Sequence, residues 1–342
     1  AQGSTGPYLA QRPSFLAPKP GIIPLRPLGV MEIISGAFEA LRANPRAMFL
    51  PALVVTSVIG IISAAVTFVM AQPQFSALER VQASNEPSVD EVMSSFQTTG
   101  TTLVAQSGVS LLLSLASIIL TGLIIVAVSR SVLGRVATPG EVWDRVRPRI
   151  WPLIGQSLLI GLIGIVAAVV VLVVAVGLGA VVIASITGGG EWSTAGVLAA
   201  ILTIFVVTIA LTIAAVYFTV RLEFSSAALI LENVGVWEGM RRSWRLTRGS
   251  FWRVLGILLL SLLITSTLTG IVSGAVGMLG ALATLGGGPG AYSALMAGSS
   301  FISSLLQAAI LPFASAVTAL TYIDLRMRKE GLDVELRQAA AV

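Results

Sequence analysis

Six stretches of almost unbroken apolar sequence dominate the chain, near residues 47–71, 103–129, 152–186, 195–220, 254–283 and 294–323. About 20 helical residues cross roughly 30 Å of hydrocarbon, so each stretch is long enough to span a bilayer. The third overruns that thickness at 1.5 Å per residue and must tilt, bend or protrude. Gly155, Gly161, Gly164, Gly177 and Gly179 offer it places to do so. No charge falls between Val254 and Ile323, so the break between the last two stretches is read from the turn residues of "LGGGPGAYS" at 285–293.

Between these runs the pattern changes to short amphipathic segments. Residues 29–50 read "GVMEIISGAFEALRANPRAMFL" and residues 235–256 read "GVWEGMRRSWRLTRGSFWRVLG". Aligned without a gap, Glu32 falls on Glu238, Phe38 on Trp244 and Arg42 on Arg248. A shorter third copy, "PGEVWDRVRPRIWPLIG" at 139–155, places Trp143 and Arg147 at the same spacing. Each copy precedes two apolar runs. The pattern predicts an all-α integral membrane protein, with six transmembrane helices arranged as three repeats of an interfacial elbow helix plus a helical hairpin. In the first elbow Met31, Ile34, Phe38 and Leu41 share the apolar face. In the third, Trp237, Met240 and Trp244 face the acyl chains, while Arg241, Arg242, Arg245 and Arg248 face the headgroups. Asn44-Pro45 closes the first elbow, because the residue before proline avoids the helical region and proline suits a first helical position.

Composition agrees with this reading. Of 342 residues, 55% are hydrophobic and 11% charged, and the mean hydropathy is +0.93. Placing the N-terminus in the cytoplasm puts twenty of the 21 Lys and Arg on inner segments and leaves only Arg80 outside. That asymmetry requires an even number of crossings and both termini in the cytoplasm of a cell bounded by a plasma membrane. All six Trp lie near helix ends, as expected for rings seated at headgroup level. Residues 1–27, rich in Pro, read as a disordered cytoplasmic lead-in. Residues 28–326 form the membrane domain and 327–342 a cytoplasmic tail, with Gly331 at the expected helix end. In the outer loop 72–102, "SVDE" at 88–91 is a capping box predicted to start a separate short helix.

The segments "PLRPLGVMEIISGAFEALRANPR", "GEVWDRVRPRIW" and "YIDLRMRKEGLD" resemble the membrane domain associated with glycerophosphoryl diester phosphodiesterases, over about residues 22–336. Stand-alone members of that family occur in actinobacteria. The resemblance implies fold and location. It does not imply phosphodiesterase activity, because that catalytic domain uses histidines and metal-binding carboxylates and this chain has no histidine.

Absent residue types narrow the chemistry further. Without Cys or His the chain lacks thiolate nucleophiles, the commonest general base and the commonest metal ligands. No metal, cofactor, nucleotide motif or nucleic-acid partner is expected. No carboxylate falls inside a predicted span: Glu223 follows the fourth, and Asp324 begins the tail region. That pattern argues against ion-coupled transport. Two readings of the hydroxyls and amides within the spans stand side by side. One is helix packing through small residues, as in Gly270-x-x-x-Gly274, Gly277 and Gly280. The other is a polar seam along a substrate path, with Gln106, Gln156 and Gln307 as fixed donors and acceptors.

The elbow arginines are the candidate contacts for anionic lipid headgroups: Arg42, Arg147 and Arg248, each with the base that follows it, Arg46, Arg149 and Arg253. The positive-inside bias alone would also place them there. The expected function is a non-catalytic multi-pass subunit of cell-envelope machinery in a bacterium, with membrane lipids and a protein of the same membrane complex as its expected partners. The alternative is a transporter or flippase component for a lipid or amphipathic substrate.

Overall fold

The structure, a computed structural model, describes residues 19, 21–83, 89–187, 194–284 and 288–332. Side chains are described for most of these, the main exceptions being 77–92, 178–201 and 279–289. Every element among the described residues is helical. Five helical segments are long and apolar enough to cross a membrane: Pro45–Ser76, Met93–Val132, Phe205–Leu231, Phe251–Met278 and Gly290–Glu330. They lie within α2 (Pro45–Ala83), α3 (Val89–Val132), α6 (Thr194–Leu222) continuing through α7 (Ser225–Leu231), α9 (Phe251–Thr284) and α10 (Gly288–Glu330). The apolar run expected at 152–186 is α5 (Ile150–Thr187), also helical throughout, although many of its side chains lie outside the described set.

Three short helices precede α2, α5 and α9, where the elbows were expected: α1 (Val30–Ala43), α4 (Pro139–Val146) and α8 (Val236–Thr247). Local chemistry starts the first two. The Gly29 N–H donates to the Glu32 carboxylate at 2.6 Å, satisfying an orphan donor of the first turn of α1. Thr138 caps α4, its hydroxyl accepting from the Glu141 N–H at 3.4 Å, with Pro139 at the first position. One 3₁₀ turn, Arg147–Arg149, joins α4 to α5.

α10 is the central element. It packs along α2, α9 and α3 and also touches α1, α7 and α8. α5 and α6 pair with each other and reach the remainder mainly through α3, α7, α8 and α9. The α2–α10 contact depends on small residues. A Cβ at Gly60 would lie 2.8 Å from that of Ser304, and the Ser63 and Ser300 hydroxyls are 2.5 Å apart. The glycines of α9 do not behave this way. A Cβ at Gly270, Gly274 or Gly277 would meet nothing within 4 Å, so this motif does not mediate packing among the described residues.

Most fully buried large side chains gather at one end, where the arginines also lie. Leu25, Leu28, Ile33, Met48, Ile124, Ile125, Leu153, Phe224, Leu229, Leu246 and Tyr322 all belong to this set. Several expectations change here. Residues 21–27, the described part of the expected lead-in besides Lys19, are not disordered: Ile22, Ile23 and Leu25 are core residues together with Leu28. Gly21 lies so close to the backbone at Ser131 and Gly134 that no Cβ would fit. The apolar residues between the prolines bury enough surface to hold the segment in place. α1 rolls its Ile33, Ile34, Ala37, Ala40 and Leu41 onto this core, and of its large apolar side chains Met31 and Phe38 stay exposed. It therefore packs on protein more than on lipid. Residues 89–91 are the first turn of α3, not a separate helix, because helix propagation continues without a break into the apolar run. The end of α10 is where it was expected: the helix runs on to Glu330 and stops ahead of Gly331, whose φ is +68°.

Candidate functional site: an arginine face and two cavities

Two ion-pair networks fasten the basic end. In the first, the fully buried Asp324 of α10 accepts from the Leu28 N–H at 2.8 Å, from Arg253 at 3.0 Å and from Arg328 at 3.0 Å. Both guanidinium groups also donate to the Leu28 carbonyl at 2.6 Å. Residues far apart in sequence thus close one knot around Leu28. The second network joins Glu232, after α7, to Arg242 of α8, to Tyr322 and to Arg326 of α10 (3.3 Å for Arg326), while Glu330 takes Arg242 at 2.8 Å and Arg326 at 2.9 Å. Burial pulls the Arg242 pKa down, but its hydrogen bonds to Glu232 and Tyr322 and the Glu232 charge outweigh that, leaving it raised.

These networks sort the candidate arginines. Arg253 belongs to the Asp324 knot, its guanidinium committed to that carboxylate and to the Leu28 carbonyl. Arg149 donates to the Asn233 side chain, to the Asn233 carbonyl at 3.1 Å and to the Val234 carbonyl at 3.4 Å. It thereby secures the turn ahead of α8, where Asn233 has φ +60°, and is likewise taken up inside the protein. Arg242 turns inward, contrary to the headgroup-facing side expected of it. Arg42, Arg46, Arg147 and Arg248 remain exposed, and their side chains make no hydrogen bond or ion pair among the described residues. Arg135, Arg145, Arg241 and Arg245 share that condition. Against these eight stand only two described carboxylates without a partner, Asp144 and Glu238.

The unpaired arginines border shaped surfaces. Arg42 and Arg135 line one cavity of about 340 Å³ with Glu39, Asn44 and Ser131. Arg241 edges a groove of about 450 Å³ between α6 and α8, whose other walls are Phe218, Leu222, Trp237, Met240 and Trp244. Trp151 and Trp252, at the starts of α5 and α9, are 80% and 81% exposed, so their rings flank the same face.

A second cavity of about 300 Å³ sits where α3, α5, α6, α7 and α10 meet. Thr121, Thr219, Ser226, Ser315 and Thr318 supply hydroxyls and Glu223 a carboxylate. Sequence reasoning passed over Glu223 because it stands at the end of an apolar run. Its importance comes from the α6–α7 junction, which turns it toward α10, where the Thr318 hydroxyl donates to it at 3.1 Å. Ser243 of α8 maintains that junction: its hydroxyl donates to the Arg221 carbonyl at 2.6 Å and accepts from the Phe224 N–H at 3.2 Å.

The three glutamines of the expected seam lie at different depths and in different surroundings. Gln106 donates to Thr67 of α2 at 3.0 Å. At 1.5 Å per residue, Gln106 and Gln307 lie roughly 35–40 Å from the basic ends of α3 and α10, whereas Gln156 lies about 9 Å into α5. Gln156 is fully buried near Gly239, and neither its amide nitrogen nor its oxygen has a partner.

A helical bundle with these five crossing-length segments is a membrane protein. The chain belongs to the family described as Domain of unknown function (DUF7847), which it matches over residues 28–325. That match carries no link to the phosphodiesterase-associated domain that the elbows resemble. No curated protein and no solved structure matches the chain.

Proposed function

We propose that this protein is a non-catalytic multi-pass subunit of the cell envelope, lying in the plasma membrane with its basic end on the cytoplasmic leaflet and holding anionic phospholipid there. The observation that carries the reading is the division of the arginines. Those that tie the fold together have carboxylate or carbonyl partners, while eight on the elbows and adjoining turns have none. Unpaired guanidinium groups beside exposed tryptophans suit phosphate-bearing headgroups. The groove beside Arg241 suits an acyl chain below such a headgroup. The absence of His and Cys fits a role without covalent or general-base chemistry. A second reading, a transporter or flippase component, draws on the Glu223 cavity alone.

The test is lipid retention. Protein extracted in mild detergent and analysed by mass spectrometry should carry phosphatidylglycerol or cardiolipin. Each basic side chain near an anionic surface contributes about 1 kcal/mol. Changing Arg42, Arg147 and Arg248 together to Gln should therefore weaken retention roughly a hundred-fold and leave zwitterionic lipid unaffected. Equal retention by this variant and the unaltered protein overturns the proposal.

A further inference from the structure

We propose that the cavity beside Glu223 binds a primary ammonium group carried on a small apolar body. The argument starts from how this chain treats its other sequestered carboxylates. Asp324 receives two arginines and a backbone N–H. Glu232 receives Arg242 and Arg326. Among the described residues Glu223 receives only the Thr318 hydroxyl. The adjacent Arg221 is turned away, donating to Tyr217 at 3.0 Å and lying 5.0 Å and 5.2 Å from the Tyr217 and Trp244 ring centres. Glu223 is half-buried, and a carboxylate partly withdrawn from water without a counter-charge is costly; the compensating charge has room to come from outside the chain.

The shape and chemistry of the cavity select the kind of cation. A single water occupies about 30 Å³ of liquid, so about 300 Å³ is far more than a bare metal ion fills and reaches the lower end of small-molecule sites. Ile125, Ile160, Leu222 and Leu311 give it apolar walls for a hydrocarbon body. The carboxylate and the surrounding hydroxyls offer several acceptors, matching the three N–H donors of a primary ammonium. A quaternary ammonium has no N–H and favours an aromatic cage, and no aromatic residue lines this cavity. The ligand is a free alkylamine or the amine of a lipid headgroup such as ethanolamine. The assignment does not depend on the arginine face.

The experiment follows the protein's own tryptophan fluorescence during thermal unfolding in phosphatidylcholine nanodiscs. One arm adds n-butylamine, a second adds choline, and a third replaces part of the lipid with phosphatidylethanolamine. At saturating ligand, the amine arm or the phosphatidylethanolamine arm should raise the midpoint by roughly 2–4 °C. A response to butylamine alone identifies a free amine as the source, and a response to phosphatidylethanolamine identifies a lipid. Choline should have no effect. Glu223→Gln, whose side-chain carbonyl still accepts from Thr318, should abolish the shift while unfolding normally in phosphatidylcholine. If that variant fails to fold, Ser315→Ala should weaken the shift instead. No shift in either amine arm, an equal shift with choline, or shifts retained in the folded variants overturns the assignment.

Discussion

The two ends of the molecule are built on different principles. At the basic end, lead-in, elbows and helix termini interlock around Leu25, Phe224 and Tyr322 and are fastened by the Asp324 and Glu232 networks. Away from it, α2, α3 and α10 stay packed together while α6 and α9 turn most of their surface outward. The most apolar windows of the α6–α7 and α9 spans are only 17% buried within the protein, against 44% for those of α3 and α10. The long apolar surfaces of α6 and α9 are thus matched to lipid, in which apolar side chains gain little by packing against one another. Tertiary specificity is concentrated where polar groups must find each other.

That contrast is most strongly challenged at Asp324. Asp324→Ala leaves Arg253, Arg328 and the Leu28 N–H without their shared acceptor and should cost about 3–5 kcal/mol, read from tryptophan fluorescence during denaturation in mixed micelles. Asp144→Ala, at an exposed unpaired acid, should change stability by less than about 0.5 kcal/mol. Next comes Leu25→Ala, expected to cost about 2–5 kcal/mol in the same assay, because Leu25 is fully buried. A negligible cost there would return residues 21–27 to the status of a lead-in. Gly60→Ala should cost about 1–3 kcal/mol, since its Cβ would press on Ser304 of α10. The smallest effect belongs to the opposite region: Leu262→Ala, on an exposed face of α9, should stay within about 0.5 kcal/mol.

The same contrast explains what was legible in the sequence. Hydropathy marks lipid-facing helices, so the apolar runs and the elbows before α2, α5 and α9 could be located from the pattern. The core at the basic end is made by residues with weak local signals. Ile22 and Leu25 sit among prolines, and the residues of α7 look like the tail of an apolar run. Arg149 and Arg253, like Arg46, stand where an apolar run begins, but their roles depend on Asn233 and Asp324, which are distant in sequence. Glu223 and the hydroxyls around it come from four helices and the junction between two of them, so no linear spacing brings them together. The glutamines were grouped by residue type alone, and helix geometry separates them by depth.

Everything proposed for the arginine face requires that the basic end lie on the cytoplasmic side of the bilayer. Because the chain has no cysteine, Arg145→Cys introduces a single thiol on α4, at that end. Labelling of sealed vesicles of defined orientation with a membrane-impermeant maleimide should modify this thiol only from the cytoplasmic side. Modification from the external side of intact cells would contradict the orientation and, with it, the lipid-holding role.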